Sequence, residues 1–123
     1  SDAPAQAEAT DGLNSRELIF REELKAKVIE RLSDETLSAN TLAEAMLLSS
    51  SQFYRKLKAL TGQTPTQYIR DLRISKAQVL LKESMLPIAE IAYQTGFTDP
   101  NYFSRTFNQY SGKSPREYRK EEE

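Results

Sequence analysis

The sequence predicts an all-α fold of about seven helices, two homeodomain-like helix-turn-helix subdomains joined by a long connecting helix. Three observations predict it. Apolar residues recur at the 3.6-residue helical period and do not alternate as in a half-buried strand. Gly and Pro fall at the ends of those periodic segments rather than between alternating runs. A stretch beginning near residue 53 returns, with its spacing intact, 50 residues later.

Residues 1–14, SDAPAQAEATDGLN, are small and polar. They read as a disordered linker or remnant ahead of the folded part, 15–123. From Ser15 the pattern turns helical: Phe20, Leu24, Val28 and Leu32 recur every four residues with Ile29 beside them, and Ser33-Asp34-Glu35 ends the run. Ser49/Gln52, Thr64/Gln67 and Ser114/Glu117 have the spacing of capping boxes. Pro65, Pro100 and Pro115 each follow Thr, Asp or Ser, the order of an N-cap and a first helical proline. Gly62 and Gly112 stand where a helix stops in a left-handed residue. The helices are therefore expected at about 15–33, 39–47, 50–61, 65–83, 87–95, 100–111 and 115–120.

Composition bounds the chemistry. The chain of 123 residues has neither Cys nor His, so disulfides, thiolate metal sites and the commonest general acid/base are all excluded. No Gly-rich phosphate loop and no paired acids at a pocket-like spacing support catalysis. Asp71, Glu83 and Glu90 read as surface charges, and no cofactor or metal is expected. No apolar run approaches the ~20 residues of a membrane span and no signal peptide opens the chain, which makes a cytoplasmic location the expectation. The formal charge is −1, but residues 15–120 carry 17 basic and 12 acidic residues (+5), and residues 50–120 carry 12 and 5 (+7).

The repeat is the most informative feature. Phe53, Arg55, Gly62, Pro65 and Tyr68 return as Phe103, Arg105, Gly112, Pro115 and Tyr118, Leu57 as Phe107 and Thr64 as Ser114. Upstream, Leu42-Ala43 matches Ile91-Ala92 at a spacing of 49. Each copy reads short helix, tight turn, longer helix, Gly, then Thr/Ser-Pro opening another helix. That is the layout of a helix-turn-helix, whose second helix enters the major groove. A solenoid needs at least three copies to bury a continuous core. Two copies, about 38–62 and 87–112, on a connecting helix at 65–83 suit a two-headed DNA reader better.

Successive helical residues turn by roughly 100°. Phe53, Leu57 and Leu60 then share one side of the first recognition helix, with Ser51, Arg55 and Lys58 opposite and Tyr54 at the edge. In the second, Phe103, Phe107 and Tyr110 form the inner stripe, Asn101, Arg105 and Asn108 face outward, and Ser104 lies at the edge. The aromatic stripes predict core, not base-stacking platforms; Tyr54 and Tyr102 alone qualify as exposed rings. Arg suits guanine, Asn suits adenine and Lys suits phosphate. The expected base contacts are Ser51, Tyr54, Arg55, Asn101, Ser104 and Arg105. The expected phosphate contacts are Ser50, Lys58, Thr64, Thr66, Asn108, Ser114 and Arg116, several of them at the helix N-termini opening at Ser50, Pro65, Pro100 and Pro115. On the connecting helix Ile69, Leu72, Val79 and Leu80 form one apolar side and Ile74, Ala77 and Leu81 another, as needed to clamp a subdomain at each end.

These residues resemble the AraC/XylS family of bacterial transcription regulators. The more specific part is Ile88-Ala89-Glu90-Ile91-Ala92, then Gly96-Phe97-Thr98-Asp99-Pro100-Asn101-Tyr102-Phe103-Ser104-Arg105-Thr106-Phe107, Gly112, Ser114-Pro115 and Tyr118-Arg119. The first copy adds Leu42-Ala43, Ser49, Phe53-Tyr54-Arg55-Lys56-Leu57-Lys58, Thr61-Gly62, Thr64-Pro65 and Tyr68-Ile69. Within the family, the run from Phe20 to Leu32 and Tyr54 to Gly62 look closest to members fused to receiver domains, including hybrid two-component regulators. The resemblance implies two helix-turn-helix subdomains on a rigid helix, binding to double-stranded promoter DNA and, usually, activation through RNA polymerase. It further implies an N-terminal receiver or sensor domain outside this module and a possible homodimer of the full-length protein. The chain departs from the family pattern in two places: Leu47 stands where the first turn usually has Gly, and Asn108 where a basic residue is common. A helical module that uses the same fold to bind protein is the alternative. Single-stranded or RNA binding would require more exposed aromatics.

Overall fold

The computed structural model describes residues 15–121; the expected linker at 1–14 and the last two acids, Glu122 and Glu123, lie outside the described residues. Among the described residues there are seven helices and no strand: α1 (Ser15–Glu30), α2 (Ala39–Ala45), α3 (Ser50–Thr61), α4 (Pro65–Glu83), α5 (Ile88–Gln94), α6 (Pro100–Ser111) and α7 (Pro115–Lys120). None is long and apolar enough to cross a membrane.

Caps set most boundaries. Ser49, Thr64 and Ser114 accept from the amides of Gln52, Gln67 and Glu117 respectively, and each of those side chains reaches back to the cap amide. Ser38 and Thr41 form a fourth capping box, which the sequence pattern does not reveal because Thr stands where Glu or Gln is usual. Gly62 and Gly112 close α3 and α6 in the left-handed conformation at φ 77 and 76. α1 ends at Glu30, not near residue 33, because the chain tightens into i→i−3 turns: Arg31 N donates to Val28 O at 3.0 Å and Asp34 N to Arg31 O at 2.9 Å. α2 and α5 also stop short of 47 and 95, at Ala45 and Gln94.

Two separate cores form. Phe20, Leu24, Val28, Leu32, Leu37, Leu42, Ala43, Phe53, Leu57 and Ile69 make the first. Ile74, Ala77, Leu81, Ile91, Ala92, Phe97, Phe103 and Phe107 make the second. The second is an aromatic chain, Phe97, Phe103, Phe107 and Tyr118, with consecutive ring centroids 5.1, 5.8 and 5.4 Å apart.

The packing partners show how one helix serves both cores. α1 packs on α2 and α4, α2 on α3, and α3 on α4; then α4 packs on α5 and α7, α5 on α6, and α6 on α7. The two sets are the same list shifted by three helices. α4 therefore closes the first subdomain with its N-terminal half and stands in for α1 in the second with its C-terminal half.

That division corrects the expected apolar sides of α4. Ile69 and Leu72 join the first core, while Ile74, Ala77, Leu81 and Leu80 join the second. Val79 shares the face of Leu72 but lies two turns beyond the reach of the first subdomain, and it is 44% exposed. Ile29, about 100° round from Val28, is exposed as well. Tyr110 also leaves its expected place: it keeps the register of Phe103 and Phe107 but lies outside the second core and is exposed. Exposed rings are accordingly more numerous than Tyr54 and Tyr102, since Tyr93 and Tyr110 join them.

Candidate nucleic-acid interface

Burial of one face fixes the orientation of the other. Phe53 and Leu57 are fully buried, which turns Ser51, Tyr54, Arg55 and Lys58 of α3 to solvent. Phe103, Thr106 and Phe107 are buried in α6, which turns out Asn101, Arg105 and Asn108, with Ser104 half-buried at the edge. A shallow surface depression gathers Ser104, Arg105, Asn108 and Ser114 of the second copy. Four of the expected contact residues are thus neighbours there, drawn from α6 and the cap of α7.

The cations differ in how they are held. The Arg105 guanidinium carbon lies 5.9 Å from the Tyr102 ring centroid, one helical turn back. This contact aims the group along the outward face and leaves its N–H donors available. Lys56, between Arg55 and Leu57 in sequence, instead lies over the Phe20 ring at 4.5 Å and braces α3 against α1. Arg55, Lys58, Thr66 and Arg116 are exposed.

The expected phosphate contacts separate into two kinds. Thr64 Oγ1 accepts from Gln67 N at 3.2 Å, and Ser114 Oγ accepts from Glu117 N at 3.1 Å. A hydroxyl that accepts keeps its own proton to donate. With Pro at the first position and the third amide capped, the second amide, of Thr66 in α4 or Arg116 in α7, has no intrahelical acceptor. Ser50 is less available, because its hydroxyl donates to Asn40 Oδ1 at 2.7 Å. At α6 the cap is a carboxylate, and Asp99 Oδ1 already accepts from Asn101 N at 2.9 Å. That negative charge makes the Pro100 end a poorer phosphate seat than the other three.

The turn ahead of each outward-facing helix has the same hydrogen bonds. Leu47 N donates to Glu44 O and Leu48 N to Ala43 O; at a spacing of 49, Gly96 N donates to Tyr93 O and Phe97 N to Ala92 O. Both turns pass through a left-handed residue, Leu47 at φ 61 and Gly96 at φ 90. The departure at Leu47 therefore leaves the turn geometry intact.

A residue that the sequence pattern did not single out is Arg73, in the middle of α4. Its guanidinium donates to Gly96 O at 3.1 Å and to Asp34 O at 2.8 Å. No motif or periodicity marks it, because both acceptors are backbone carbonyls far away in sequence.

Known proteins share this arrangement. The model of a helix-turn-helix domain matches residues 42–121. The HTH-type transcriptional activator RhaS of Escherichia coli O139:H28 is 34% identical in a match covering 94% of this chain and 51% of RhaS. The chain spans about half or less of the length of such curated relatives, 34% for the Msm operon regulatory protein of Streptococcus mutans. Among solved structures, the C-terminal domain of the two-component response regulator YesN from Fusobacterium nucleatum superposes with a TM-score of 0.75 at 32% identity, over 81% of this chain and 97% of that one. The DNA-binding domain of the global transcriptional factor AdpA, in complex with a target DNA, gives a TM-score of 0.74 at 33% identity, over 80% of this chain and 87% of that one.

Proposed function

The chain belongs to the AraC-type helix-turn-helix family of DNA-binding regulators, and from that premise we propose that it reads double-stranded promoter DNA with α3 and α6 in adjacent major grooves. One observation carries the reading. Arg55 and Arg105 stand at a spacing of 50 on two helices whose opposite faces are buried, so the same side chain is presented outward twice. Reading one face of B-DNA asks for two such helices about 34 Å apart, one turn of the duplex. The 19 residues of α4 span about 28 Å and support that separation.

In this proposal Ser51, Tyr54 and Arg55 read bases in one groove, and Asn101, Ser104 and Arg105 in the next. Lys58, Asn108, Thr64, Thr66, Ser114 and Arg116 hold phosphates, with Ser50 a weaker member of that set. A shared phosphate term gives affinity, and the two arginines give sequence preference.

The domain serves, in the same proposal, as the output module of a larger cytoplasmic regulator. An N-terminal receiver or sensor domain controls it, RNA polymerase is the downstream partner, and a homodimer of the full-length protein raises affinity through avidity. The likeness to a response regulator's C-terminal domain and to a transcriptional activator supports this wider setting.

Selection of bound duplexes from a random pool tests the reading. Two short enriched blocks about one helical turn apart are expected. Titration of the best duplex should also show log K falling steeply with log salt. No enrichment, combined with salt-insensitive binding, would overturn DNA reading by this module and favour a protein partner for the same faces.

A further inference from the structure

The two cores share no residue, so what fixes one subdomain against the other is α4 and whatever crosses beside it. Arg73 crosses there. From the middle of α4 it donates one N–H to Asp34 O, in the loop that leaves α1, and another to Gly96 O, in the turn that leads into α6. The loop, the turn and the Arg73 side chain also meet at close range. A Cβ placed on Gly96 would lie 2.3 Å from Leu32 O and 2.6 Å from the Arg73 guanidinium carbon. The loop end is itself pinned, because Thr36 donates to Asp34 Oδ1 with its amide at 2.8 Å and its hydroxyl at 2.6 Å. Those bonds first, and the charge of Arg73 to a lesser degree, hold the Asp34 carboxyl below the usual carboxylate range.

This joint is made of polar groups where an apolar contact would serve stability as well. Arg73 Nε is buried with no hydrogen-bond partner. Burying a guanidinium incompletely paired is a poor source of stability. A planar fork with two fixed donors is, however, a good gauge of angle, because both carbonyls are met in only one arrangement of the subdomains.

We propose that Arg73 is a positioning residue that sets the spacing and rotation of the two reading helices, and so selects DNA by the separation of its two half-sites. The proposal rests on the two-headed DNA reading above. It places specificity in a residue that touches no base. Each base pair added between half-sites moves the second by about 3.4 Å and about 35°. A joint that holds the angle rejects such a shift, and a loose one follows it.

The test uses the full chain with Arg73→Met, which keeps the stem and removes the fork. Duplexes carry the selected pair of blocks at the selected separation, or with one or two base pairs inserted or removed; a further duplex carries a single block. We expect the wild type to prefer the selected separation and Arg73→Met to lose roughly tenfold of that preference, the scale of one hydrogen bond from a charged donor. Its affinity for the single block should be unchanged. Because the chain has no cysteine, Ala59→Cys and Gln109→Cys place spin labels uniquely on α3 and α6. Their distance distribution in free protein should be narrow in the wild type and broad with Arg73→Met. Unchanged spacing preference together with an unchanged distribution overturns the proposal. So does an equal loss on every duplex including the single block, which marks a merely structural residue. If the wild type binds no duplex, the DNA reading fails, and the label distances alone decide whether Arg73 holds the angle. Should Arg73→Met unfold, Arg73→Gln, which keeps a shorter planar donor, carries the same comparison.

Discussion

The turn before α3 and the turn before α6 are built on the same hydrogen bonds, yet one holds leucine and the other glycine. Leu47 sits at φ 61 with its side chain 91% exposed, so it bears the left-handed conformation but meets nothing. The strain is about 1–2 kcal/mol for an L-residue. Gly96 sits at φ 90 against Leu32 O and Arg73, where any Cβ collides with backbone. The difference follows from position in the assembly. The first turn faces open solvent, whereas the second is the place where the two subdomains touch. A left-handed turn tolerates a side chain when nothing stands beside it, and requires glycine when a neighbouring chain does.

The greatest loss should come at the crowded turn. Gly96→Ala should destabilise the fold by about 3 kcal/mol, from the left-handed φ and the clash together. Chemical denaturation measures it, and a loss as small as at an open site would contradict the close approach. Next come the reading heads. Arg105→Ala should cost ~1–3 kcal/mol at one base position and relax preference there, and Arg55→Ala should do the same in the other block. Competition titrations with singly substituted duplexes distinguish this from a uniform loss, which would make either arginine a phosphate contact. Lys58→Ala should lower the slope of log K against log salt by about one, leaving the preferred site as it was. An unchanged slope removes Lys58 from the phosphate set. The open turn should respond least. Leu47→Gly should stabilise by up to about 1 kcal/mol, since relief of strain exceeds the entropy that glycine loses on folding. A destabilised Leu47→Gly would show that the leucine packs in a way its exposure does not suggest.

Local chemistry made most of the fold legible. The starts of α3, α4, α6 and α7 and the ends of α3 and α6 follow from caps, prolines and left-handed glycines that act within a few residues. The stripe Phe20, Leu24, Val28 and Leu32 is buried as its period implies. The misses occur where the outcome depends on what lies across space. Val79 has the right period but no subdomain reaches it, and Tyr110 has the right spacing but stays outside the second core, although Leu60 at the same place in α3 packs on the first. The outward faces of α3 and α6 could be read because burying one side of a helix exposes the other. Arg73 could not, because its partners are carbonyls of residues 34 and 96, and carbonyl acceptors leave no trace in sequence. The tie on Ser50 is hidden in the same way, because its hydroxyl donates to Asn40 Oδ1, ten positions earlier.

Two like helices that read one face of a duplex together should leave two marks on it. Methylation interference on the selected duplex looks for them, since modified guanines block major-groove contacts individually. Two clusters of interfering guanines about one helical turn apart are the predicted result, with Arg55→Ala abolishing sensitivity in one cluster and Arg105→Ala in the other. A single cluster, lost to one arginine and indifferent to the other, would contradict joint reading by α3 and α6.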